Sequence, residues 1–235
     1  MDPPRLTAAP PGLPTDVAVA TIDARRLATP LDLHLRPNDA ETEAEVVAEI
    51  ADLMYRSHNT VILADACASR HRVLPALHQL MDRTGLPTFV SPMGKGSVDE
   101  THATFGGVYA GDVSREDVRR RIEGAELVLF VGGLKSDFNS GGFTDRIRRH
   151  NTVEFHSDHM KVRYSTFPGI QMGQVLEKLL DILDYSRIRA AGIPQMTNVI
   201  PHHESESASQ VITHAYLWPR VGQWLRENDV VVTET

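Results

Sequence analysis

Thr60-Val61-Ile62-Leu63-Ala64-Asp65-Ala66-Cys67 is the stretch whose reading decides the fold. Thr60 to Ala66 is a short run without polar alternation until Asp65, the pattern of a strand buried on both faces. On its amino side, Thr42 to Ser57 repeats Val46, Val47, Ile50, Leu53 and Met54 at helical spacing, which predicts an amphipathic helix. On its carboxyl side, His71 to Arg83 carries Val73, Leu74, Leu77, Leu80 and Met81 in the same way. Pro87 to Ser91 predicts a second short strand. Ser114 predicts a helix N-cap, with Glu116 and Asp117 in a first turn and an end near Gly124. Glu126 to Val131 predicts a strand stopping at Gly132-Gly133, Thr152 to His156 another, and Gly173 to Leu183 a further helix. Strands alternating with helices at this spacing predict βαβ units joined by right-handed crossovers. The expected class is α/β, a Rossmann-like parallel sheet flanked by helices.

The flanks read differently. Five prolines (Pro3, Pro4, Pro10, Pro11 and Pro14) make the first fourteen residues irregular, and Thr29 to Ala40 is a second loose stretch. Beyond Ser186 lies an expected linker rich in Pro, Ser and Glu, including Pro201-His202-His203-Glu204-Ser205. Gln210 to Glu227 predicts a last helix, interrupted or kinked at Pro219, and Asp229 to Glu234 a strand. The chain stops at Thr235, at the end of that strand, so the sequence is expected to be part of something longer. No internal repeat is present.

The 235 residues carry 24 Lys+Arg against 31 Asp+Glu, a net charge of −7, with 41% apolar and 23% charged residues. These are ordinary values for a soluble domain able to bury a core. The acidic balance argues against sequence-independent nucleic-acid binding, which needs a basic footprint. No apolar run approaches a membrane span, and Met1-Asp2-Pro3-Pro4 does not open a signal peptide. Cys67 is the single cysteine, which excludes an internal disulfide and a cysteine-based zinc site. An intracellular protein is expected.

Ligands of open α/β sheets gather beyond the carboxyl ends of strands. Here those ends hold Cys67 to His71, Pro92 to Gly96, Gly132 to Asp137, and His156 to His159. Gly94-Lys95-Gly96-Ser97 fails as a phosphate loop, lacking the upstream glycine and the Ser or Thr directly after Lys. Gly106-Gly107-Val108-Tyr109-Ala110-Gly111 misses the dinucleotide fingerprint at Val108 and reads as tight turns between sheet elements. His150, His156 and His159 with Asp158 match no closed zinc spacing and read as strand-end hydrogen bonding. His202-His203 reads as solvated linker. Ala66-Cys67-Ala68-Ser69-Arg70-His71 is more informative. It leads from a buried strand into a helix, where backbone N–H groups favour an anion, and Arg70 could grip a carboxylate with two hydrogen bonds. The structural alternative is a core Cys67 and a surface Arg70.

Several segments together resemble the pyruvate decarboxylases of fungi and yeasts. They are Leu31-Asp32-Leu33 with Pro37-Asn38-Asp39-Ala40, Val61 to Cys67, Pro92 to Gly96, Phe105 to Gly111, Ser136-Asp137-Phe138-Asn139, and Val153 to Arg163. The resemblance runs in order from Gly12 to Thr235. It implies the central regulatory domain of a three-domain enzyme. Residues 1–40 would be the end of a pyrimidine-binding domain with its linker, 41–185 the Rossmann-like central domain, 186–209 a linker, and 210–235 the start of a diphosphate-binding domain. The last would be cut before its expected Gly-Thr-Ser.

The reaction implied is decarboxylation of pyruvate to acetaldehyde and carbon dioxide on thiamine diphosphate with magnesium. The catalytic glutamate, the histidine pair, the Gly-Asp-Gly motif and its following Asn-Asn are not in this sequence: Gly111-Asp112 precedes Val113, and His202-His203 falls in the linker. No residue is therefore expected to be catalytic, to hold the cofactor or to bind metal, and the piece is expected to be inactive alone. The resemblance does imply an activator site for pyruvate at Cys67 and Arg70, with Ala68 where yeast enzymes can carry a second cysteine. It also implies a cytoplasmic homo-oligomer with active sites between subunits. Two other readings are a module that binds ADP or FAD, using Gly132-Gly133, and a non-catalytic assembly partner of a complete decarboxylase.

Overall fold

The structure, a computed structural model, describes residues 15–30, 35–192 and 211–232. The chain divides into two units, Met1–Pro37 and Asn38–Thr235. In the first, a single helical turn α1 (Thr15–Ala18) is followed by a 3-10 turn over Ala24–Ala28. The Asp23 side chain caps that turn by accepting the Arg25 N–H at 2.9 Å. No described residue of this unit is buried.

The second unit is built on helix α2 (Ala40–Arg56), strand β1 (Thr60–Ala64), the short helix α3 (Ala66–Arg70), helix α4 (Leu74–Thr84) and strand β2 (Thr88–Val90). Then come β3 (Phe105–Val108), α5 (Glu116–Glu123), β4 (Leu127–Val131), β5 (Thr152–Phe155), β6 (His159–Val162), β7 (Ser165–Pro168) and α6 (Met172–Ile182). A last helix, α7 (His214–Trp224), runs through Pro219. The sheet order is β3-β2-β1-β4-β5-β6-β7. The first five strands are parallel, and β6 and β7 add to β5 as an antiparallel extension.

Alternation along each strand divides the core. Ile62, Ala64, Val90, Leu129, Val131, Val153 and Phe155 face the layer of α2, α4 and α6. Val61, Leu63, Phe89, Val128 and Phe130 face Val118 and Ile122 of α5. Full burial of each such side chain is worth roughly 1.5–3 kcal/mol, so the central strands anchor the fold. The entry to α2 is pinned from afar. Asn38, buried, donates to the Glu43 carboxylate at 2.6 Å and accepts the Gln171 N–H at 2.8 Å, while Lys178 pairs with Glu43. Asp39 caps α2 by accepting the Thr42 N–H at 3.0 Å.

Several local expectations change. Phe105 to Val108 is an edge strand rather than a tight turn, because Gly106 leaves the space that the Phe89 ring fills: a Cβ there would lie 2.2 Å from the ring. The Ser114 hydroxyl accepts the Ala110 N–H at 2.7 Å, so α5 starts at Glu116 without a side-chain cap. The expected helix over His71 to Arg83 starts later, at Leu74, after a separate short helix α3 and a turn in which Arg72 takes φ +59°. The sheet is parallel only through β5, since β6 and β7 return as hairpins. Asp229 to Val232 pair with no strand among the described residues and Val230 to Val232 are exposed, a run without a neighbour to complete a ladder. Thr233 to Thr235 lie outside the described residues, as do Leu31 to His34, the first fourteen residues and the His202-His203 stretch.

The start of the expected linker is tied down. The Asp184 N–H donates to the Tyr55 hydroxyl at 2.8 Å, the Arg187 guanidinium lies 3.8 Å from the Tyr55 ring centroid, and Arg121 donates to the Ala191 carbonyl at 2.7 Å.

Candidate functional site

The chain enters the sheet at β1, winds outward through β2 and β3, then returns to the far side of β1 as β4. The topological switch point therefore lies between β1 and β4, where open α/β sheets place their ligands. The expected residues do converge there: Cys67 to Arg70 follow β1, and Gly132 to Leu134 follow β4. The crevice itself is filled from within the chain. Gly132 takes φ +72°, and a Cβ on it would stand 2.1 Å from the Ala68 nitrogen, so α3 lies directly on the β4 turn. The Cys67 N–H donates to the Gly132 carbonyl at 3.0 Å.

The position an anion would take at this helix start belongs to Asp65. Its fully buried carboxylate accepts the Ala66 and Leu134 N–H groups at 2.6 Å each, the Asn139 amide at 2.9 Å to both oxygens, and the Ser91 hydroxyl. Asn139 in turn accepts the Met93 N–H at 2.9 Å and donates to the Leu134 carbonyl at 2.8 Å. One acid thus joins the loops that follow β1, β2 and β4. The backbone donors at this helix start, expected to favour an anion at Cys67, are thus buried and already paired within the chain. An acid between Ala64 and Ala66 at the end of an apolar run was the signal for such a hub, since an acid is almost never fully buried without partners.

Arg70 sits in the last turn of α3, exposed, with no side-chain hydrogen bond or ion pair to any described residue. Cys67 lies one turn earlier, partly buried and packed against the larger core cluster. Residues three apart on a helix share a face, so Cys67 and Arg70 are neighbours at the carboxyl end of β1. The arrangement offers an uncommitted guanidinium beside a thiol.

The histidines at the end of β5 form a hairpin turn. His156 donates through Nε2 to Glu154 at 3.0 Å, the His159 Nδ1 meets Asp158 at 2.7 Å, and the two rings stack with centroids 4.3 Å apart. The hydrogen bond from His159, set against slight burial, holds the Asp158 carboxyl below its usual range. His150 stands in a separate 3-10 turn at the other end of β5. Lys95 is committed to Glu100, and the Gly94 N–H to Ser91.

Glu154, nearly buried in the middle of β5, was missed in the sequence reading, although a lone acid between Val153 and Phe155 marks it. It accepts from Lys135 at 2.9 Å and from its cross-strand neighbour Lys161 at 3.2 Å, besides His156. Burial alone raises a carboxyl group. Here the hydrogen bond from His156 and the ammonium groups of Lys135 and Lys161 outweigh it and hold Glu154 well below the usual carboxylate range. Tyr109 shows the opposite balance: burial pushes its phenol up, with the hydroxyl donating to Glu123 at 3.1 Å.

Among the described residues no three His, Cys, Asp or Glu side chains converge to hold a metal ion. No described helix is long and apolar enough to cross a membrane.

Comparison with known proteins agrees with this geometry. The family model for the thiamine pyrophosphate enzyme central domain matches residues 47–183, which holds the sheet and the helices packed on it. The chain is 51% identical over 224 residues to a pyruvate decarboxylase of Aspergillus terreus and 50% identical over 223 residues to one of Aspergillus fumigatus. It is 45% identical over 229 residues to pyruvate decarboxylase isozyme 2 of Saccharomyces cerevisiae. Each match takes in 95% of this chain but only 39–40% of the relative, so the chain spans about two fifths of the length of these curated relatives. A seven-stranded, mostly parallel sheet between helices, together with a family match over more than half of its length, places the chain in the thiamine pyrophosphate enzyme family, as a bearer of its central domain.

Proposed function

We propose that this chain serves as the central, regulatory domain of a cytoplasmic, homo-oligomeric pyruvate decarboxylase, and that it binds pyruvate as an activator at Cys67 and Arg70 instead of reacting with it. The whole enzyme would convert pyruvate to acetaldehyde and carbon dioxide. Thiamine diphosphate and magnesium would supply that chemistry from residues outside this chain. Within it, residues 41–185 act as the central domain, 1–40 and 186–209 as connections, and 210–235 as the opening of the next domain. The observation that carries the reading is the 51% identity to a pyruvate decarboxylase over 95% of the chain.

In this reading the described residues do not react with pyruvate. What they supply is Arg70, an exposed guanidinium with free donors for a carboxylate, held beside Cys67 by α3. Asp65 and Gly132 fix that helix against β4, so a ligand at Arg70 reaches the 134–140 loop through Asp65 and Asn139. Two measurements test this. Acetaldehyde release by the 235-residue chain supplied with pyruvate, thiamine diphosphate and magnesium should stay at background; turnover would end the reading of a non-reacting domain. Calorimetric titration with pyruvate should give saturable heat that Arg70→Ala reduces. Equal heats for both proteins would remove Arg70 from the site.

A further inference from the structure

The two faces of the sheet are not equally covered. Helices α2, α4 and α6 pack across one face from β2 to β6. On the other, the apolar cluster with α5 ends at Val128 and Phe130 of β4. Beyond it, β5 and β6 present Thr152, Glu154 and Lys161, out of phase with core residues Val153, Phe155 and Met160. The segment carrying Asp145, Ile147 and Arg149 runs beside this surface and leaves a cleft of about 210 Å³. Lys135, Arg149 and Lys161 line it together with Asp145, Glu154 and an apolar wall of Phe130 and Ile147.

The charges in this cleft are unequal: three permanent cations meet two carboxylates, in a chain whose net charge is −7. Lys135 and Lys161 each place one donor on Glu154, and an ammonium has three. Arg149 spends its Nε–H on the Arg163 carbonyl at 3.3 Å and lies over the Tyr164 ring, keeping its terminal N–H groups. Glu154 thereby acts as an internal counter-ion that holds the two ammonium groups in place without using up their donors. We propose that this cleft is a binding site for a small oxyanion, a carboxylate or a phosphate, gripped by Lys135, Lys161 and Arg149 and distinct in its residues from Cys67 and Arg70.

The test is calorimetric titration of the 235-residue chain at constant ionic strength, with inorganic phosphate in one series and acetate in another. Saturable heat is expected with at least one of them, and the one that binds identifies the oxyanion. Arg149→Met, which touches no ion pair of Glu154, and Lys161→Met, which leaves Glu154 with Lys135 and His156, should each weaken binding by about tenfold. No saturable heat with either anion overturns the proposal, as does unchanged affinity in either variant. Should Lys161→Met fail to fold, Arg149→Met decides alone.

Discussion

Asp65 and Glu154 are both acids buried at the carboxyl half of neighbouring parts of one sheet, yet their partners differ in kind. Asp65 is fully buried and surrounded by neutral donors: two backbone N–H groups, a serine hydroxyl and an asparagine amide. Glu154 is held by two ammonium groups and an imidazole. Neutral donors on three loops make a rigid joint, since each has one place to be and losing the acid orphans buried backbone groups. Ammonium groups make a looser arrangement that keeps donors for other oxygens and responds to acid. The first acid closes the crevice where this fold class usually takes a ligand; the second lines a cleft that stays open.

Removing each acid in turn is the sharpest way to break this comparison. Asp65→Ala should lower unfolding free energy by about 4 kcal/mol in urea titrations, because it strands the Ala66 and Leu134 N–H groups and the Asn139 amide. A loss below about 1 kcal/mol would show that water replaces the carboxylate and that the joint is not rigid. Next in size is Gly132→Ala, at about 3 kcal/mol by thermal melting. Its added methyl group meets the backbone of α3, and φ +72° is strained for alanine.

Glu154→Gln should cost less, about 1.5 kcal/mol at neutral pH, because the lysines turn to water. Its signature is in the pH dependence. The folded Glu154 carboxyl lies well below its ordinary 4.5, so its contribution is fully present above that pH. It is lost as pH falls below 4.5 towards the folded value, where the unfolded state takes up a proton first. Melting temperatures of wild type and Glu154→Gln should therefore converge on acidification; parallel curves would mean that the ion pairs contribute nothing. Smallest of all is Arg70→Ala, which should leave the urea midpoint within about 0.5 kcal/mol of wild type, as expected for an exposed side chain without partners. A larger loss would give Arg70 a structural role.

The elements legible in the sequence are those whose burial is complete on both faces or regular along one. Val61 to Ala64, Leu127 to Val131 and the stripe Val46, Val47, Ile50, Leu53 and Met54 leave one solution each, since any other arrangement exposes them. The same reading went astray where local pattern is weak. Phe105-Gly106-Gly107-Val108 carries the composition of a turn, and only the Phe89 ring seated against Gly106 makes it a strand. Ser165 to Pro168 is largely exposed and gains its strand from pairing with β6.

The site divides along the same line. Position in the chain was enough to put Cys67 and Arg70 between a buried strand and a helix, because that follows from periodicity; the short helix α3 that carries them came only with the structure. Which groups already occupy that helix start was decided only by tertiary structure, as Leu134 and Asn139 reach Asp65 from about seventy residues away. The pairing of Glu154 with Lys135 and Lys161 has the same origin: strand register and a returning hairpin bring together charges that the sequence keeps apart. Local composition thus determined which segments must be buried, and the closing of long loops around the sheet determined which polar groups meet there.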